Sequence, residues 1–269
     1  MFLGLKKEVW KETFRFIQAR KKPTGGFGAT PLLPSTVEDT YYALSGMEVL
    51  KKIDPNLKYN PSKDHALKVW IKKNIEHAIK FGFSAKTLFY LTNITLKTLV
   101  KPPNRFLEFL EDWCTNFLRE RLSDLEQIFY GVKIAKSLNW LNLDISCSVE
   151  IRNENVKEVY QLLWLQKEGG LKFSFSESKL LGWLKACYNP DGGYGFYPET
   201  TSYIENTFYA LNSYFFLKIK PKNINKTQAF IVSCYVGKGG FARKPGGTAF
   251  LEATYYALEC FKLITLLTL

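Results

Sequence analysis

The chain has 269 residues, 46% apolar and 16% aromatic, enough to bury one large core or one array of repeats and too apolar to stay unfolded. Its formal net charge of +12 favours anionic partners, but the basic residues are scattered and no nucleic-acid motif accompanies them, which sets nucleic acid aside as a partner. Five cysteines without a CxxC pair argue for reduced thiols and a cytoplasmic setting, and the sequence shows neither a signal-peptide h-region nor a run of 18 apolar residues.

Residues 6 to 20 place Trp10, Thr13, Phe14 and Ile17 on one stripe, the period of an amphipathic helix, which stops at Pro23-Thr24-Gly25-Gly26. Ser35, three residues before Glu38, predicts a capping box opening a helix over 36 to 52. Helices over 63 to 80 and 84 to 100 are expected on either side of Phe81-Gly82-Phe83, and Lys101-Pro102-Pro103 ends that pair. Helices over 104 to 120 and 123 to 138 follow, the second behind another capping box, Ser123 to Glu126. Residues 139 to 153 carry no pattern and are expected to form a loop. A helix over 153 to 167 leads to Gly169-Gly170, and a helix over 177 to 188 precedes one over 203 to 218, with Ser202 and Glu205 as its capping box. The last pair spans 224 to 236 and 250 to 266, with Ala249 at the cap position.

One frame recurs. Gly25-Gly26-Phe27, Gly192-Gly193-Tyr194 and Gly239-Gly240-Phe241 are each followed, counting from the second glycine, by Pro at +5, Glu at +12 and Thr at +14. Phe16, Trp183 and Phe230 stand ten residues before that glycine, so the preceding helix belongs to the unit. Clear copies lie near 6–52, 177–218 and 224–266, and eroded ones over 63–167. There Glu126, Phe129 and Tyr130 fall in register with Glu205, Phe208 and Tyr209, and Phe81-Gly82-Phe83 reads as a worn glycine turn. Each unit is a helical hairpin that cannot cover its own apolar face, so successive units must stack. The fold class is therefore all-α, and periodicity alone leaves open whether the units form a line or a ring.

The run Asn189-Pro190-Asp191-Gly192-Gly193-Tyr194 with Ile204-Glu205-Asn206-Thr207-Phe208-Tyr209-Ala210-Leu211, echoed from Val37 to Leu44, resembles the repeat shared by protein prenyltransferase β subunits and squalene or oxidosqualene cyclases. The resemblance implies one α/α toroid over residues 1–269, built from about five to six helical hairpins, whose central cavity holds an isoprenoid or other apolar small molecule. It also implies positions for zinc at +10, +12 and +13, but here these are Tyr203, Glu205 and Ala253, one carboxylate where three ligands are needed, so no metal and no cofactor is expected. The acid motif of the cyclases, Asp-x-Asp-Asp, does not occur. Three readings stay open: prenyl transfer or cyclisation through an unorthodox acid, a catalytically silent ring for a lipid or protein partner, and a purely structural helical scaffold. Docking on an anionic membrane surface is compatible with the first two.

Asp39 and Glu205 are the catalytic candidates. Asp39 stands at +13, where the last copy has Ala253, whereas Glu38, Glu126, Glu205 and Glu252 share one repeat position whose plainer role is capping. The aromatic pairs Tyr41-Tyr42, Phe208-Tyr209 and Tyr255-Tyr256 can line a cavity with π faces suited to an isoprenoid or a carbocation, or simply pack as core. Lys238, Arg243 and Lys244 flank a helix N-terminus where a diphosphate could bind, or form a solvated loop. His65 and His77 are expected at the surface, and Cys187 and Cys234 in helix packing.

Overall fold

A computed structural model describes residues 6–99, 101–120, 124–140, 155–173 and 176–268. Ser123, Cys147 and most of the expected loop over 139–153 lie outside the described residues. Among these there are eleven α-helices and no strand: α1 (Lys7–Gln18), α2 (Val37–Ile53), α3 (His65–Phe81), α4 (Ala85–Thr98), α5 (Asn104–Glu120), α6 (Leu125–Ser137), α7 (Val156–Lys167), α8 (Glu177–Ala186), α9 (Ile204–Phe216), α10 (Ile224–Ser233) and α11 (Leu251–Thr268). None of them is long and apolar enough to cross a membrane.

Six helices make an inner ring. Contacts run from α2 to α4, α6, α7, α9 and α11, and α11 packs back on α2, so the ring closes. Helices α1, α3, α5 and α10 each pack on their hairpin partner, and α8 joins through Leu180 and Leu184, in one buried cluster with Val156, Val159 and Leu163 of α7.

The glycine turns fix the spacing of this ring. Gly25, Gly192 and Gly239 sit at φ of +97°, +95° and +97°, a region that side chains disfavour. A Cβ at each would also run into helix backbone, at Ala66 in α3, Lys226 in α10 and Glu12 in α1. Each turn therefore packs on the next outer helix, and the last one packs on the first. The second glycine of each pair lies under an aromatic ring of that same neighbour: Trp70 over Gly26, Phe230 over Gly193 and Phe16 over Gly240. The repeated aromatic thus serves the turn before its own.

Thr40, Thr207 and Thr254, all fully buried, tie turn to inner helix. Each hydroxyl accepts from the N–H of Phe27, Tyr194 or Phe241, at 2.9, 3.2 and 3.0 Å, and donates to the carbonyl four residues back. Those three aromatics are buried in the core, each contributing about 2–3 kcal/mol by burial.

Two expectations are corrected. The capping boxes at Ser35 and Ser202 do not form: α2 is capped by Thr36, and α9 begins at Tyr203 without a side-chain cap; α6 is capped by Asp124, Ser123 being outside the described residues. Ser202 instead donates to Asp191 Oδ1 at 2.8 Å and accepts from Asn189, and the Cβ atoms of Ser35, Ser202 and Ala249 lie against Gly26, Gly193 and Gly240. That position selects a small residue, which is why alanine serves in the last copy. Nor is Gly82 a glycine turn of the same kind, because nothing lies within 4 Å of where its Cβ would be.

Gly239→Ala is expected to cost about 3 kcal/mol or more, since strain and a backbone clash add. Gly82→Ala, with strain alone, costs about 1–2 kcal/mol. Thr207→Val leaves the buried Tyr194 N–H unpaired at about 1–3 kcal/mol. Urea unfolding of the three variants checks the order.

Candidate ligand-binding site

The inner helices are parallel and in register, so equivalent residues form tiers around the axis. The second residue of each gives a collar at the mouth: Glu38, Lys86, Glu126, Lys157, Glu205 and Glu252. The fifth and sixth residues give two inward tiers, Tyr41-Tyr42, Phe89-Tyr90, Phe129-Tyr130, Tyr160-Gln161, Phe208-Tyr209 and Tyr255-Tyr256. These twelve, with Lys133 and Lys157, line the space at the centre, which measures only about 50 Å³. The three aromatic pairs singled out from sequence are all brought together there.

The rings fill the centre by packing on one another. Tyr41 stacks on Tyr90 at 4.1 Å between centroids, Tyr160 on Tyr209 at 5.5 Å, and Phe208 tilts against Tyr256 at 4.9 Å. Their hydroxyls form a chain with a direction. Tyr42 donates to Glu252 Oε1 at 2.9 Å, so Tyr90, 3.0 Å from the Tyr42 oxygen, must donate to it. Tyr209 and Tyr256 continue the network at 3.2 Å. Burial pushes the hydroxyls of Tyr42, Tyr90 and Tyr256 well above their ordinary range, so all three stay protonated.

The collar is a circuit of contacts between neighbouring helices. Glu38 pairs with Lys86 at 2.7 Å and Glu126 with Lys157 at 2.8 Å. Glu205 would next meet a second glutamate, and here Arg243 intervenes, bonding Glu205 Oε1 through Nε at 2.7 Å and through Nη2, with its guanidinium 4.7 Å over the Tyr203 ring. Glu252 has no ion-pair partner among the described residues. Burial raises its carboxyl above the ordinary value, against the lowering effect of the Tyr42 hydroxyl.

Above the collar lie two grooves of about 850 and 630 Å³. Phe83 lines both. The larger is bounded by Phe109, Trp113 and Tyr130 with Asp112, Asp124 and Glu126. The smaller is bounded by Tyr42, Phe250, His77, Asp39 and Glu252. Tyr42 and Tyr130 are the floor of this trough and also line the centre beneath it.

The other predicted residues stand apart from the centre. Asp39 closes the first turn of α2, accepting from the Thr36 hydroxyl at 2.7 Å while its N–H donates back to that oxygen at 3.0 Å; burial raises its carboxyl. Glu205 is committed to Arg243, which takes Arg243 away from the expected diphosphate role. Lys238 and Lys244 are exposed on the last turn, as His65 and His77 are on α3. Cys187 and Cys234 are buried thiols raised to about 11 and about 12 by burial. The residues at the zinc positions do not suit the metal, because Glu205 is bound by a guanidinium, Tyr203 lies under it and Ala253 has no donor.

Sequence reasoning missed Lys86, Phe89-Tyr90, Lys157, Tyr160-Gln161 and Lys133. The signal is present in the pairs Lys86 with Phe89-Tyr90 and Lys157 with Tyr160-Gln161, which repeat the collar-to-tier spacing with lysine in place of glutamate. Lys133, one turn below Phe129-Tyr130, has its ammonium 4.6 Å from the Phe89 ring, 4.8 Å from Phe129 and 5.3 Å from Trp164. Burial pulls it down to about 8, opposed by the charge of Glu259.

A family model described as the prenyltransferase alpha-alpha toroid domain matches residues 2–88 and 171–268, more than half of the chain. No curated protein matches it.

The raised carboxyl of Glu252 has a consequence for stability. The folded state holds its proton more tightly than the unfolded one, whose value is near 4.5, so the protonated form favours folding and that contribution is lost as pH rises through the folded value. Glu252→Gln keeps an acceptor for Tyr42 and removes the buried charge. Its Tm is expected to exceed that of the parent at pH 7, with the difference shrinking below pH about 4.5, as thermal melts across pH 3 to 8 will show.

Proposed function

The chain belongs to the prenyltransferase α/α-toroid family, and from that premise we propose that it binds an isoprenoid or other apolar chain in the trough at the mouth of the ring and not within it. The observation that carries this reading is volume. Ligand pockets enclose about 300–1,000 Å³, against about 50 Å³ at the ring centre and about 850 Å³ in the larger groove. Phe83, Phe109, Trp113 and Tyr130 give that groove aromatic walls for an apolar chain. Its carboxylates, Asp112, Asp124 and Glu126, outnumber its one lysine, Lys86, which is paired with Glu38, so the groove disfavours a diphosphate and prefers a neutral or cationic head.

An enzymatic reading, prenyl transfer or cyclisation, is favoured by one feature. Glu252 lines the trough with its carboxyl raised by burial, the direction that favours a proton-donating acid. Asp39 lines the same groove but is held by Thr36.

Native mass spectrometry with farnesol, geranylgeraniol and their diphosphates separates these possibilities. The alcohols are expected to bind more tightly than the diphosphates, and Trp113→Ala to weaken binding about tenfold through lost aromatic contact. Failure of every chain length to bind, or binding indifferent to Trp113→Ala, overturns the proposal. Turnover of any of the four compounds that is lost in Glu252→Gln establishes the enzymatic reading.

A further inference from the structure

The centre of the ring is too small for an organic ligand, yet its lining is chemically one-sided. Every polar side chain facing it is a hydroxyl, an amide or an ammonium, and no carboxylate lines it. Gln161 is the one residue of the two tiers that is not aromatic. It is 2% exposed, and its Nε2 has no hydrogen-bond partner among the described residues. Lys133 brings an ammonium to the same space without a carboxylate at ion-pair distance among the described residues. The carboxylate whose charge acts on it, Glu259, bonds Lys262 at 2.8 Å. Lys157, the second cation of the lining, is held from outside by Glu126.

We infer that the centre of the toroid is a binding site for a small inorganic anion, of halide or nitrate size, held between the Lys133 ammonium and the Gln161 amide. The volume of about 50 Å³ admits roughly three or four water-sized groups, enough for such an ion and not for a phosphorylated metabolite. The π faces of Phe89, Phe129 and Trp164 are turned to Lys133, so they stabilise the cation. An anion beside it would supply a countercharge that offsets the burial pulling the lysine down to about 8. Tyr42 and Tyr130 line both the centre and the trough above, so the site lies directly beneath the trough floor. The inference does not rest on what the trough binds.

Two measurements on the unaltered protein test this, with bromide as the probe. In crystals soaked in sodium bromide, an anomalous peak is expected at the ring centre beside Gln161 Nε2 and Lys133 Nζ. In solution, Tm is expected to rise saturably with bromide when ionic strength is held constant with sodium gluconate, whose anion is too large to enter. Gln161→Leu should weaken the apparent bromide affinity about tenfold, and Lys133→Met should abolish the response. A centre that shows only water while surface sites take up bromide overturns the inference, as does a Tm response unchanged in Gln161→Leu.

Discussion

A helix backbone can be approached by another chain segment at this distance only where the segment has no Cβ, and the toroid depends on that contact. Gly25, Gly192 and Gly239 each meet the backbone of the following outer helix, and the third of these contacts joins the end of the chain to its beginning. Closure therefore needs no special device, because the seam between α11 and α1 is made by the same glycine, aromatic and small-residue set as the seams at Gly25 and Gly192. A single Cβ at Gly239 displaces α1 from the turn it covers, and the ring depends on that seam.

The other side of the ring is held differently. Gly82 and Gly170 have open space where a Cβ would sit, so no outer helix is seated on them. There ionic contacts join the helix ends: Lys157 reaches Glu126 and Lys136 reaches Glu168. Both pairs are partly exposed and individually weak. The family match covers the glycine-held parts of the chain and leaves out residues 89–170.

This division explains what the sequence made legible. Glycines at positive φ against backbone admit almost no substitution, so the three tight turns stand out and with them the all-α repeat. The site was half legible. Tyr41-Tyr42, Phe208-Tyr209 and Tyr255-Tyr256 follow tight turns and were found, while Phe89-Tyr90 and Tyr160-Gln161 follow lysines where the frame has glutamate. The exchange of Glu for Lys is what the ring needs, since like charges on neighbouring helices would repel, but it removes the letter that marks the register. Serine three residues before glutamate misled for the same kind of reason. Ser35 and Ser202 are small for the sake of the glycine beneath them, and the glutamate belongs to the second helical position.

Parallel packing gives the collar a further electrostatic burden. Six helix N-termini converge on the mouth, each with roughly half a positive charge, which favours the four glutamates and disfavours Lys86 and Lys157. The two lysines are tolerated because each is bonded to a neighbouring glutamate, and the Lys86 ammonium also lies 5.6 Å from the Tyr90 ring. Glu252 is the collar glutamate without a cationic partner among the described residues, and the ring compensates by pointing hydroxyls at it from Tyr42 and, through Tyr42, from Tyr90. The aromatic filling that reduces the central volume is thus also the donor system that hydrogen-bonds a half-buried carboxylate at the mouth. Opening the centre for a larger ligand would have to break that network, which favours the trough as the place where an apolar chain is met.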